Sequence, residues 1–165
     1  MLRVRSILAP YDFSVHADHA LEHAAALARL HGARLHVLTV VEVRPVPRFA
    51  EDGRLLLYSD EPVTAPAEKA LTHRAGQIEG VEAHAHAERG VVGEQVLSFL
   101  DRHEVDLLVL STHGYTGLKG VLMGSVARAI VDSAPCPVLL LKAFGRSLLA
   151  PEEKNATAAV SAKGT

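Results

Sequence analysis

The residues best placed to do chemistry lie between Ser111 and Ser125, in the segment STHGYTGLKGVLMGS. Gly114, Gly117, Gly120 and Gly124 put four glycines into eleven residues, more than a turn requires. Glycine lets a backbone come close to a ligand and lets successive N–H groups turn inward around an anion. A helix starting at Ser125 would add unpaired N–H groups and the positive end of its dipole. Together these make a phosphate cradle; a glycine-rich turn that is merely pliable is the alternative. A second short segment, Pro10-Tyr11-Asp12-Phe13-Ser14, carries one carboxylate. Asp12 either closes a turn at a helix start or hydrogen-bonds a ribose or base. His113 lies inside the glycine segment, where it could orient the loop or move a proton. No serine nucleophile, paired carboxylates or basic cluster accompanies it, which favours ligand contact or loop packing.

Such groups need a scaffold, and the pattern along the chain supplies one. Val4 to Ala9 reads as a buried strand closed by Pro10, and Ser14 is a natural N-cap for a helix to about His31. Gly32 ends that helix, since glycine takes left-handed angles without penalty. Arg34 to Val41 is a second strand, rich in β-branched residues. Residues 42–66 hold Pro45, Pro47, Pro62 and Pro66 without a clear period and read as a long irregular loop. A second helix is expected over Ala67 to Ile78, ended by Gly80. Val81 to Ala87 alternates strictly, like a strand near a sheet edge. Gly93 to His103 is a third helix, Asp106 to Leu110 a strand apolar on both faces, and Ser125 to Ala134 a fourth helix. Val138 to Leu141 is the fifth strand. Alternating strands and helices predict a parallel sheet covered on both faces and, with right-handed crossovers, doubly wound. In such a sheet ligands bind beyond the carboxyl ends of the strands, where strand order reverses. Both candidate segments follow strands.

Composition excludes several classes. The 165-residue chain suits one domain, here residues 1–146, followed by an unpatterned tail over 147–165. Seventeen basic against nineteen acidic residues leave a net charge of −2, without the basic excess of a nucleic-acid binder. No apolar run approaches membrane-spanning length and no secretory signal is visible, so a soluble cytoplasmic protein is expected. Cys136, the one cysteine, lies between two prolines and is read as packing. His16, His19 and His23 share a helical face, with His19 and His23 at metal-ligand spacing. Lacking further ligands, they read as a solvated face and no metal site is assigned. His84 and His86 likewise read as exposed.

The stretch STHGYTGLKGVLMGSVARAIVDSAPCPVLLLK resembles the C-terminal signature of the universal stress protein family. ILAPYDFSVHADHALEHAAALA is similar to that family's opening strand, Asp-containing loop and first helix, so the resemblance spans about residues 2–143. It implies a five-stranded parallel sheet in the order 3-2-1-4-5 with four helices, like that of the adenine nucleotide alpha hydrolases. The family's ATP-binding branch carries Gly-x-x-Gly, nine residues, then Gly and Ser or Thr. Gly114, the nine-residue spacer Tyr115 to Met123, and Gly124-Ser125 match; Ser111 replaces the first glycine. Tyr115 stands where many members carry a basic residue. The resemblance implies that Gly114, Gly124, Ser125 and Val126 hold phosphates, while Asp12 and Val40, with Pro10 nearby, frame adenine and ribose. Ser111, His113 and Gly117 complete the expected cofactor-binding set.

These expectations amount to a stress-response or signalling protein that binds ATP with Mg²⁺ and has no assigned catalytic residue. A slow ATP hydrolase and a nucleotide-independent dimeric interaction module are the alternatives. A homodimer through the edge strand Val138 to Leu141 is implied by the resemblance.

Overall fold

The computed structural model describes residues 3–42, 46–52, 54–58, 64–113, 123–142 and 147–149. Strands β1 (Ser6–Pro10), β2 (Arg34–Glu42), β5 (Ala83–Gly90), β6 (Leu107–Ser111) and β7 (Val138–Leu141) form one sheet in the order β5-β2-β1-β6-β7. Every pairing in it is parallel. Counting only these strands, the order is the expected 3-2-1-4-5. Helices α1 (Val15–His31), α2 (Thr64–Gly76), α3 (Val92–Arg102) and α4 (Ser125–Ser133) supply the crossovers.

Alternation along the central strands divides the core. Ile7, Ala9, Leu35, Val37 and Val109 join the α1 alanines and, from α2, Leu71 and Ala75 in one buried cluster. Leu8, Leu38, Leu108 and Leu110 join Val96, Phe99 and Leu100 of α3 and Ala127 and Ile130 of α4 in the other. Both faces of β1 and β6 are therefore apolar, as a covered parallel sheet demands. α1 starts and stops where the residues dictate. Ser14 Oγ accepts the Ala17 N–H at 3.1 Å, and Gly32, at φ 62°, turns its N–H back to the Ala28 and Arg29 carbonyls.

Three expectations need correction. The segment read as an irregular loop contains an antiparallel hairpin, β3 (Val46–Phe49) and β4 (Leu55–Tyr58), with Val46 opposite Tyr58 and Phe49 opposite Leu55. The prolines masked two runs rich in strand-forming residues around an Asp52-Gly53 turn signal; Pro47 is tolerated because a two-stranded hairpin has only edges. α2 begins three residues early, with Pro66 in its first turn, where a missing N–H costs no helical bond. The histidine face of α1 is not solvated: His23 is 2% exposed, and His16 and His19 are half-buried.

Candidate functional site

β1 lies between β2 and β6, and chain order runs outward in opposite directions from it, so the reversal falls between β1 and β6. The β1–α1 loop and the segment after β6 therefore emerge side by side. The first is firmly held. Tyr11 N–H donates to the Leu38 carbonyl at 2.8 Å, and Thr39 Oγ1 donates to the Tyr11 carbonyl at 2.7 Å. The buried Tyr11 hydroxyl donates to Asp18 Oδ1 at 2.8 Å. Arg74 of α2 donates to the same oxygen through Nε at 3.2 Å and Nη2 at 3.1 Å. Burial, reinforced by Asp18, pushes the Tyr11 phenol up to about 12. Burial would lower Arg74, but Tyr11 and Asp18 outweigh it and hold the guanidinium above its ordinary value.

Asp12 is exposed, and its Oδ1 accepts the Ser14 N–H at 3.1 Å. That bond is the turn-closing role weighed above. Between them Phe13 takes φ 63°, a conformation that L side chains avoid.

After β6, Ser111 is half-buried and Thr112 buried. Thr112 N–H donates to the Leu141 carbonyl at 2.8 Å, and the Thr112 carbonyl accepts Gly124 N–H at 2.9 Å. The latter bond ties the start of α4 to the end of β6. Thr112 Oγ1 and His113 Nδ1 lie 2.9 Å apart. The His113 ring faces that of His16 on α1 at 6.4 Å between centroids. Thr112 is thus a site neighbour that residue type did not single out, and His16, read above only as part of a histidine face, is another; its position in the first turn of α1, beside the β1 loop, was the available signal.

Gly124 is the N-cap of α4, and no side-chain hydrogen bond caps this helix. A helix start leaves first-turn N–H groups without intrahelical partners, so Ser125 and Val126 present donors there. Val40, half-buried on β2, and Met123 pack against the α3–α4 cluster. Pro10 is half-buried at the end of β1. The structure therefore brings Pro10, Asp12, Val40, Ser111, His113, Gly124, Ser125 and Val126 to the carboxyl end of the sheet. Gly114 and Gly117 lie outside the described residues. Of the α4 residues Val126, Ala129 and Ile130, which make a helical apolar stripe, Ile130 faces the sheet, together with Ala127, while Val126 and Ala129 do not. Val126 is 42% exposed and lines a shallow apolar groove of about 300 Å³ with Ala129, Ser133 and, from α3, Gly93, Glu94 and Leu97. Cys136 packs against the same cluster, and burial pushes its thiol up.

Residues 3–142 match the family model of the universal stress protein family. The chain belongs to that family. A universal stress protein of Methanocaldococcus jannaschii, MJ0531, is 32% identical over 140 residues, covering 84% of this chain and 82% of that protein. The structure of universal stress protein UspA from Lactobacillus plantarum superimposes with a TM-score of 0.71 at 27% identity, covering 86% of this chain and 99% of that one. A universal stress protein from Archaeoglobus fulgidus, solved in complex with dAMP, has a TM-score of 0.61 over 86% of this chain and 100% of that one. At 23% identity that likeness is one of fold.

Among the described residues, no group of three or more His, Cys, Asp and Glu side chains is arranged to hold a metal ion. No helix there is long and apolar enough to cross a membrane.

Proposed function

We propose that this universal stress protein binds ATP between the β1–α1 loop and the start of α4, and acts in stress response or signalling as a nucleotide-dependent binder. What supports this most is the junction at Thr112. Its carbonyl holds Gly124 N–H, so an uncapped helix start is fastened beside the loop that carries Asp12. Helix N-termini of this kind favour phosphate. The complex of the Archaeoglobus fulgidus relative with dAMP agrees in ligand class. Gly124, Ser125 and Val126 would take the phosphates, with Gly114 and Gly117 of the preceding segment. Pro10, Asp12 and Val40 would take adenine and ribose, with Ser111 and His113 lining the floor.

Mg²⁺ fits as a passenger of the phosphates. It keeps several waters and commonly binds through substrate phosphate oxygens, so it would arrive with the nucleotide. Binding rather than turnover is favoured because the segments around His113 supply no paired carboxylates or basic cluster for catalysis. Within this reading the protein is cytoplasmic, and the edge strand β7 pairs with a second copy. The test is nucleotide content after gentle purification and denaturation, alongside turnover measurements. Copurified adenine nucleotide without turnover supports the binder. Steady hydrolysis lost in His113→Ala would make it an enzyme, and neither nucleotide nor turnover would make it an interaction module.

A further inference from the structure

At the amino ends of β2 and β5, away from the candidate site, four histidines meet on the sheet face that α3 covers. β5 reads Ala83-His84-Ala85-His86-Ala87, so Ala83 and Ala85 pack with the α2 cluster and the histidines face the other way. His36 of β2 stands directly opposite His84. Its ring is 5.6 Å from His84, 5.2 Å from His86 and 5.9 Å from His103, the C-cap of α3. Phe99 closes the group, 4.9 Å from His86 and stacked on His103 at 4.1 Å.

His36 Nδ1 and His86 Nε2 lie 3.0 Å apart. One must donate and the other accept, so the contact needs at least one neutral ring. A proton on both would set two donors face to face. The surroundings resist charge as well. Arg34 on β2 and Arg102 on α3 are cationic, and a proton on any one of these rings opposes a proton on its neighbours. Glu82 is engaged with His84 at 2.9 Å and Glu88 with Arg102 at 2.6 Å. On the far side of β2, β1 sets apolar Leu8 opposite His36.

We propose that His36, His84, His86 and His103 form a proton-sensitive latch that holds the edge strand β5 and helix α3 to β2 when neutral and loosens them on acidification. Burial first, then the neighbouring histidines, lower His36 to about 4; burial also lowers His86. Unfolded histidine titrates near 6.5. Between those values the opened chain binds more protons than the closed one, so stability is full above about pH 6.5 and falls as pH drops toward about 4. The loss is local, because β1, β6 and β7 carry none of the four histidines. The proposal is independent of nucleotide binding.

The test is hydrogen exchange on the full chain without added nucleotide at about pH 7 and about pH 5, corrected for intrinsic exchange. Opening of residues 83–90 and 92–102 is expected to rise about tenfold or more relative to residues 6–10 and 107–111, one pKa unit being a tenfold bias. His36→Phe should flatten that dependence, whereas His73→Gln, on exposed α2 surface, should leave it intact. Should His36→Phe not fold, proton NMR titration of the parent decides. A His36 ring titrating below pH 5 supports the latch, and one titrating near pH 6.5 overturns it. Equal pH dependence in parent and folded His36→Phe also overturns it.

Discussion

Gly124→Val probes the cradle with one added side chain. Gly124 has φ −65° and ψ 153°, extended backbone open to any residue. Among the described residues, a Cβ built there would meet the Thr112 carbonyl oxygen alone, at 3.6 Å, an ordinary contact. The fold should therefore survive. Valine is a poorer N-cap than glycine, a cost of about 1 kcal/mol, which lowers the melting temperature by about 2–4 °C. Nucleotide affinity should suffer much more, because branched methyls at the cap hold a phosphate away from the first-turn N–H groups. Each charge-assisted hydrogen bond so lost is worth about 1.5–3 kcal/mol, or about tenfold to more than a hundredfold in Kd. Ser125→Ala removes one hydroxyl contact and leaves every N–H in place. It should cost about 0.5–1.5 kcal/mol, at most about tenfold. Calorimetric titration with ATP and Mg²⁺, with circular dichroism melts of the same samples, measures both effects. A folded Gly124→Val protein that binds like the parent would refute the placement of the cradle. So would a Ser125→Ala variant weakened more than Gly124→Val.

Asp18→Ala leaves the Tyr11 hydroxyl and Arg74 without their shared acceptor and should destabilise by about 1–3 kcal/mol. In that variant the Tyr11 phenol should titrate below its parent value of about 12 yet above 10, because burial, the larger cause, remains; an unchanged ultraviolet titration would argue against the contact. Removing residues 151–165 should leave the melting temperature unchanged. Removal from residue 147 should lower it, because His23 Nε2 accepts Leu148 N–H at 3.1 Å and His23 Nδ1 is already spent on the His19 carbonyl; equal melting of the two truncations would contradict this. Sedimentation in the micromolar range should show a dimer, reduced to monomer by Leu139→Lys or Leu140→Lys on β7; a parent that is monomeric at every concentration would exclude pairing through this edge.

Much of the fold was legible because its signals are local. Ser14 and Gly32 mark both ends of α1, and DLLVL is apolar on both faces as a central strand must be. What escaped was decided by partners distant in sequence. The hairpin β3–β4 hid behind prolines that usually mean loop. His86 looked exposed because alternation reveals that a residue faces away from its neighbours, not that α3 brings Phe99 and His103 over that face. His23 looked like one of three solvent-facing histidines, yet residues 147–149 return across the chain to meet it. Val126, Ala129 and Ile130 make a helical stripe, but of these α4 turns only Ile130 inward, beside Ala127, leaving the other two to the groove beside α3.

The two readings of Asp12, turn residue or ligand group, need not compete. Its bond to Ser14 N–H fixes the carboxylate at the mouth of the β1–α1 loop, and Ser14 Oγ in turn fixes the first turn of α1. Phe13 accepts a left-handed φ between them, a strain of about 1–2 kcal/mol for a residue with a Cβ. Such a conformation persists only where the surroundings over-determine it. Here they do: Tyr11 is held by Leu38, Thr39 and Asp18, and its ring meets Phe13 edge-on at 5.0 Å. A loop built this way has little freedom left to lose when a ligand arrives. The same holds at the end of β6, where Thr112 clasps both Leu141 and Gly124. Under the proposed reading, ordering costs that would weaken nucleotide binding are thus met during folding, which would favour a site that rests largely on backbone N–H groups.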